Sequence, residues 1–351
     1  MINKIQIGRK KIGEREPCFI IAEAGVNHNG NIAIAKKMVE IAAKSGADAV
    51  KFQTFKAEGV VTKNTDIAPY AKKNIGRNVK QYDMIKKLEL SYDDFKKLKK
   101  YCDKKNIIFL STPHSLDAVD FLNKLVPAYK FGSGDLTNIP ALKHAAKKGK
   151  PMILGTGMAT LTEVKNAIKA IKETGNKKII ALHCTTNYPC SIEEVNLRAM
   201  ITMQKKLDCL IGYSDHAMGI TIPIMATTLG AVIIEKHFTL DRKMKGPDHK
   251  ASLEPEELKQ MIVEIRNVEK ALGSNKKKPT VSEKKIMKLV RKSIVATKDI
   301  KQGTFIKKNM LTFKRPGTGI QPSEIDKIIR KKTKKLIKKD EILNYDMVKM
   351  K

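Results

Sequence analysis

One unit recurs along most of this chain: a short apolar run, a polar cluster at its end, and then a stretch of helical spacing. Apolar runs at residues 18–22, 47–53, 107–110, 128–131, 151–154, 178–183, 209–213 and 231–234 have the length and continuity of strands buried on both faces. Helical spacing follows at 32–45, 82–88, 92–104, 116–125, 139–147, 161–174, 195–206 and 255–272, with a further helix-like run after the seventh strand. Strands joined by helical crossovers run parallel, so every polar cluster falls at the same end of the sheet. Eight such units in about 250 residues predict an α/β protein, a (β/α)8 TIM barrel with its chemistry at the strand C-termini. A doubly wound sheet is the alternative, but no GxGxxG follows the first strand.

The clusters name the candidate residues. The seventh and eighth strands end in Ser214-Asp215-His216 and Glu235-Lys236-His237, which places His216 and His237 side by side at one mouth. Two neutral imidazoles near oxygen groups suit Mn²⁺, Fe²⁺ or Zn²⁺ with open positions. Lys51 and Lys130 end the second and fourth strands, and same-parity strands share layers inside a barrel. Ser111, Thr112, Ser133, Thr156, Thr185, Thr186 and Ser214 ring the same face. Lysines, hydroxyls and glycine-rich backbone make a phosphate cradle; a lysine Schiff base is the alternative chemistry. Glu23 and Asp135 are placed to move protons or position a water, or else to pair with the two lysines. Glu235 shares a strand face with His237 and would orient a ligand or neutralise a lysine, and Asp248, after Gly246-Pro247, is suited to bind a hydroxyl. The long polar insertion at 54–81 reads as a lid or substrate wall.

The barrel is assigned to residues 1–272, with 1–17 as a leader or a hairpin over its bottom. Residues 273–283 (GSNKKKPTVSE) read as a linker. Residues 284–351 form a small β-rich domain with an internal echo, 299–311 resembling 336–348, each copy read as two short strands around a turn. The net charge of +33 raises the question of a polyanion partner. The excess is spread-out lysine, Trp is absent and Phe, Trp and Tyr make up only 5% of the chain, so there is no aromatic platform for nucleic acid. The charge is read instead as a solvated surface whose field draws in small anions, with a non-enzymatic polyanion binder kept as the rival. No apolar run approaches a membrane span and the N-terminus lacks a signal-peptide core, so a cytoplasmic protein is expected. The five cysteines are scattered without CxxC spacing, which argues against disulfides and a cysteine zinc site.

The stretches IAEAGVNHNG, VKFQTF, STPHS, YKFGSGDLTNIP, ILGTGM, LHCTTNYP, GYSDH, EKHFTLDR, GPDHKASL and KRPGTGI, taken in order, resemble the sialic acid synthase family. Its members condense phosphoenolpyruvate with N-acetylmannosamine or a related acetamido-hexose, and its tail is an antifreeze-like (SAF) domain. The resemblance implies that His216 and His237 hold Mn²⁺, and that Lys51, Thr112, Lys130, Ser133 and Ser214 bind phosphoenolpyruvate. It implies Gln53, Tyr188 and Asp248 on the sugar side and Glu23 and Asp135 in proton transfer and water placement. Arg315 would reach the sugar's acyl-amino group from the antifreeze-like domain of a partner subunit, in a domain-swapped homodimer. The chain departs from the family's usual Glu at Asp135, Ser at Gly155 and Asn at Thr186, leaving Thr186 in the substrate-binding set. Backbone or Thr156 would stand in for the family's serine and asparagine side chains at the last two positions. An asparagine that the family carries in the insertion has two candidates, Asn74 and Asn78. LHCTTNYP, QYDMIKKLELS and GSGDLTN are closer to the legionaminate-type synthases, whose sugar is 2,4-diacetamido-2,4,6-trideoxymannose.

Overall fold

The computed structural model describes residues 4–68, 71–72 and 79–350; Asn74 and Asn78 lie outside the described residues. The chain forms two units, Met1–Gly273 and Ser274–Lys351.

The first unit opens with an antiparallel hairpin, β1 (Lys4–Ile7) and β2 (Lys10–Gly13). Eight strands follow: β3 (Phe19–Gly25), β4 (Ala49–Thr54), β5 (Ile108–Pro113), β6 (Tyr129–Phe131), β7 (Met152–Gly155), β8 (Ile179–His183), β9 (Leu210–Asp215) and β10 (Ile233–His237). They are hydrogen-bonded in the order β5-β4-β3-β10-β9-β8-β7-β6, every recorded pair parallel. β5 and β6 stand beside each other and close the ring. Helices run between the strands, and their boundaries follow local chemistry. Asn31 accepts hydrogen bonds from the Ala33 and Ile34 amides to start Ile32–Ser45, and Gly46, at φ 87°, ends it. Ser91 with Asp94, and Thr160 with Glu163, form capping boxes for Tyr92–Lys104 and Leu161–Lys172.

Strand parity builds two cores. Ile20, Val50, Phe52, Phe109, Tyr129, Leu154, Ile211 and Ile234 face outward into the helix layer. Phe19, Ile21, Ala49, Leu110, Ala128, Ile153, Ile180, Leu182 and Ile233 fill the lower barrel interior, and Ile5, Ile7 and Ile12 of the hairpin join them. The hairpin therefore plugs the N-terminal mouth. Gly212 is required where this interior is tightest: a Cβ there would stand 2.7 Å from both Leu182 Cδ2 and the Ile233 carbonyl oxygen. Above these apolar layers the inward positions change to Glu23, Lys51, Lys130, Ser214, Glu235 and His237, all buried.

In the second unit, β11 (Ser293–Ala296) pairs antiparallel with β12 (Leu311–Lys314). The echoed segments are isolated bridges and 3-10 turns rather than the pairs of strands expected. Ile300 and Ile337, equivalent in the echo, exchange backbone hydrogen bonds of 2.8 and 2.9 Å. Gly303 and Asp340, also equivalent, share a left-handed conformation at φ 76° and 68°, and the 3-10 turns Lys308–Met310 and Tyr345–Met347 match. The halves are thus related by a local two-fold around Ile300, Ile306, Ile337 and Leu343. The stretch read as linker ends in a capping box, Thr280 with Glu283, that opens the helix Val281–Val290. Among the described residues no helix is long and apolar enough to cross a membrane.

Ile12 is fully buried in the plug. Ile12→Ala is expected to cost about 2–5 kcal/mol in denaturant unfolding while kcat is unchanged, because the lesion sits at the end of the barrel opposite the polar layer.

Candidate active site

The C-terminal mouth of the barrel opens into a cavity of about 380 Å³. Its floor is the polar layer. Registers set the neighbours: Glu23 stands beside Lys51 and His237, and Glu235 beside Ser214. The clusters at 214–215 and 235–237 are the last residues of β9 and β10, not the starts of loops, so strand geometry aims their side chains.

Four ionisable side chains form the centre. Lys51 Nζ lies 2.7 Å from Glu23 Oε2, 3.6 Å from Glu235 Oε2 and 3.2 Å from Thr112 Oγ1. Lys130 Nζ lies 3.2 Å from Glu235 Oε1, to which Ser214 Oγ donates at 3.0 Å. Burial opposes the charge on Lys51, but Glu23 and Glu235 outweigh it and hold the ammonium above its ordinary value. Burial would also raise Glu235, yet Lys130 and Lys51 bring it down to about 2. Glu23 goes the other way: burial, with the Glu235 charge nearby, pushes it up to about 7 against the pull of Lys51. One carboxylate is thus a fixed anion and the other is poised near neutrality. With two lysines present, the floor favours an anion.

A donor cradle adjoins it. The Gly157 amide donates to Ser133 Oγ at 3.0 Å and to Cys184 Sγ at 3.1 Å, and Thr186 Oγ1 is buried without a hydrogen-bond partner. A Cβ on Gly157 would lie 2.2 Å from Thr186 Oγ1, so only glycine lets these groups converge. A side chain at Gly155 would crowd Ser133, its Cβ standing 3.1 Å from Ser133 Oγ. Thr156 does not compensate as expected from sequence: its hydroxyl donates to the Leu182 carbonyl at 2.9 Å and it does not line the cavity. Thr185 donates to the Glu194 carbonyl and Ser111 pairs with Thr54, so these two hydroxyls are structural as well.

His216 and His237 are both buried, with ring centroids 5.6 Å apart and the Tyr188 ring 4.1 and 5.5 Å away. His216 Nδ1 lies 2.6 Å from the Thr185 carbonyl oxygen, which fixes the proton there and leaves Nε2 with a lone pair. His237 Nδ1 is buried with no hydrogen-bond partner. Burial lowers His216 to about 4 and puts His237 well below its ordinary range, with His216 and Lys51 adding to the effect. Two neutral imidazoles, one with an orphaned nitrogen, fit a divalent transition metal. Among the described residues no group of three His, Cys, Asp or Glu side chains completes such a site, so further positions fall to substrate or water oxygens. Between the two histidine positions, Asp215 and Lys236 point outward as a fully buried ion pair. Asp215 also accepts from Tyr213 Oη at 3.0 Å and the Ala217 amide at 3.2 Å, and Lys236 also donates to the Ala217 carbonyl.

Gln53, Tyr188 and Asp248 line the cavity as expected, Gln53 reaching Glu23 at 3.4 Å. Asp135 does not, and Arg315, expected from a partner subunit, belongs to the second unit. Arg315 is exposed in the second unit, directly after β12. Asp135 sits in the 3-10 turn Ser133–Asp135 and does not line the cavity; its Oδ2 lies 3.5 Å from His114 Nδ1. His114 is a residue that motif reading of the sequence misses. It does line the cavity, and its Nε2 is buried without a partner. Strand parity carried on from Thr112 would have found it. The upper wall is apolar, with Val26, Phe55 and Leu88 buried together and Met84 and Ile85 against them.

Asp248 is raised to about 6 by burial alone. With the folded value above the unfolded one, stability is full below about pH 4 and falls as pH rises through 6. Asp248→Asn removes that penalty. The variant is expected to match the parent near pH 4 and to exceed it by up to about 3 kcal/mol at pH 7.5 in urea unfolding; equal stability at both pH values would contradict the buried-charge account.

Residues 38–277 match the model of the NeuB family, and residues 291–349 that of the SAF domain. The chain is 48% identical over 328 residues to the N,N'-diacetyllegionaminic acid synthase of Campylobacter jejuni, covering 93% of this chain and 98% of that one. It is 38% identical over 341 residues to human N-acetylneuraminate-9-phosphate synthase, covering 96% and 94%. The crystal structure of a sialic acid synthetase from Leptospira borgpetersenii in complex with citrate superposes with a TM-score of 0.71 at 37% identity, covering 80% of this chain and 94% of that one.

Proposed function

The chain belongs to the NeuB family, and on that premise we propose that it condenses phosphoenolpyruvate with an open-chain 2,4-diacetamido-2,4,6-trideoxymannose, giving a nine-carbon 2-keto-3-deoxy acid and phosphate. The observation that carries the reaction is the placement of Lys51, Lys130, Ser133 and Thr186 on one floor with His216 and His237. Phosphoenolpyruvate carries two anionic groups that repel each other. Two buried cations and preset donors hold both without reorganisation. The choice of sugar is supported by the likeness to the legionaminic acid synthase and by the apolar wall of Phe55, Met84, Ile85 and Leu88, which suits a 6-methyl group better than a hydroxyl. N-acetylmannosamine is the second reading, favoured by the likeness to the sialic acid synthetase.

His216 and His237 would hold Mn²⁺ or another divalent ion, whose chemistry when bound is Lewis-acid polarisation of the sugar aldehyde. Lys51 and Lys130 neutralise phosphoenolpyruvate and hold its C3 toward the aldehyde. Glu23, poised near neutrality beside Lys51 and Gln53, gives its proton to the aldehyde oxygen as the C3–C1 bond forms. Tyr188 and Asp248 bound the sugar side, and Arg315 of a domain-swapped partner would close over the acyl-amino group.

Phosphate release from phosphoenolpyruvate with Mn²⁺ tests the reading, the two sugars being run in parallel. The trideoxy sugar is expected to give the higher kcat/KM. Preference for N-acetylmannosamine would transfer the assignment to sialic acid, and release with neither would refute it. His237→Ala is expected to fold, to lose tight Mn²⁺ binding measured by electron paramagnetic resonance, and to lose turnover. Full activity of that variant under stringent chelation would overturn the metal assignment.

A further inference from the structure

We propose that His114 is the base that activates the water of this reaction and that Asp135 is its positioning residue. The inference rests on the reaction proposed above and adds a residue to it. The 3-10 turn that carries Asp135 leaves it outside the cavity wall. The carboxylate meets an imidazole instead, its Oδ2 3.5 Å from His114 Nδ1. His114 follows β5, two residues beyond Thr112, so it projects to the same side as Thr112, which touches Lys51. Its backbone amide is tied to the Thr54 carbonyl at 3.1 Å, and its ring stands edge-on to Phe55 with centroids 6.0 Å apart. The ring is thus held from three sides: backbone, aromatic wall and carboxylate. His114 lines the cavity, and its Nε2 is buried without a partner.

A carboxylate at Nδ1 keeps the ring proton on that atom, so Nε2 presents a lone pair. A buried nitrogen with an unspent lone pair is costly unless a bound species uses it. The charged groups sharing the cavity with His114 are Lys51, Lys130, Glu23, Glu235 and Asp248. The first three are assigned to the anion and the aldehyde, Glu235 is committed to both lysines and Ser214, and Asp248 is assigned to the sugar side. Water addition is the step still lacking a base.

The balance closes. After C3 has attacked the aldehyde, C2 is electron-poor. The water oxygen bonds to C2 as one water proton passes to His114 Nε2. The bond from C2 to the phosphate oxygen then breaks, its electron pair leaving with phosphate, which takes the proton from the imidazolium. The second hydrogen of the water leaves the C2 hydroxyl for the Glu23 carboxylate, and the keto group forms. Both residues return to their starting states.

The test uses the full-length, metal-loaded protein and compares His114→Gln, His114→Ala and Asp135→Asn. The glutamine variant is expected to lose about 10²–10⁴-fold in kcat, with KM for both substrates unchanged. Added imidazole should restore part of the activity of the alanine variant. Asp135→Asn should lose about 10–100-fold. The loss should fall on kcat with KM for both substrates unchanged, a split that a merely structural role would not give. Unchanged kcat in the histidine variants, or a raised sugar KM with intact kcat, would overturn the assignment. A His114→Ala variant that fails to fold leaves Asp135→Asn to decide, an unchanged kcat there refuting the dyad. A wild-type protein inactive with both sugars would instead refute the reaction, and the dyad with it.

Discussion

Four ionisable side chains inside a barrel impose the constraint on which this structure turns. A buried ion without a partner costs several kcal/mol, so the interior must either stay apolar or pair its charges. The chain does both at different heights. The lower layers are apolar and sealed by Ile5, Ile7 and Ile12. The top layer sets Lys51 between Glu23 and Glu235 and gives Glu235 a second cation in Lys130. The sharing is unequal. Glu235 receives two ammonium groups and a hydroxyl and stays ionised; Glu23 receives one ammonium and a weak amide contact and is left near its titration point. A cluster that only stabilised the fold would have no use for such asymmetry. A site that must hold an anion and also move a proton needs it.

The same strand ends hold a second ion pair with the opposite job. Along β9 and β10 the side chains alternate, so Ser214, Glu235 and His237 face the cavity while Asp215 and Lys236 face the helix layer. Asp215 and Lys236 satisfy each other and the Ala217 backbone on both sides of His216. Removing one partner would strand a charge in a dry layer, a change typically worth about 3–5 kcal/mol. The imidazoles are therefore carried on a braced frame rather than on free loops, as a site held to tight geometry requires.

The barrel was legible because buried parallel strands write continuous apolar runs and close on polar residues. Parity along those runs also gave most of the floor: Lys51 and Gln53, and Glu235 and His237. Thr156 and Thr185 continue the outward parity of β7 and β8, alternate to the inward Ile153 and Leu182, and spend their hydroxyls on the Leu182 and Glu194 carbonyls. Asp135 stands beyond a strand of only three residues, in a turn that redirects its carboxylate to His114. No pattern in one sequence places residue 135 against residue 114, since the two belong to different units of the repeat. The helix at Val281–Val290 is a different kind of miss: Thr280 and Glu283 carry a capping-box spacing, hidden by the Lys-Lys-Lys-Pro before it.

The cavity divides its tasks between two kinds of backbone. Its floor is made by strand ends whose positions the closed sheet fixes, and there the lysines, glutamates, histidines and the cradle sit. Its upper wall comes largely from the segment between β4 and β5, where Val60, Met84, Ile85 and Leu88 meet Val26 and Phe55. That segment is tied down by short helices and a single bridge between Asp66 and Lys80 among the described residues, so its side chains change at little cost to the barrel. Two relatives align over more than nine-tenths of this protein's length, yet one is named for legionaminic acid and the other for N-acetylneuraminate 9-phosphate. Phosphoenolpyruvate chemistry needs the floor. The proposed choice of sugar falls to the wall, which is apolar above a cationic floor.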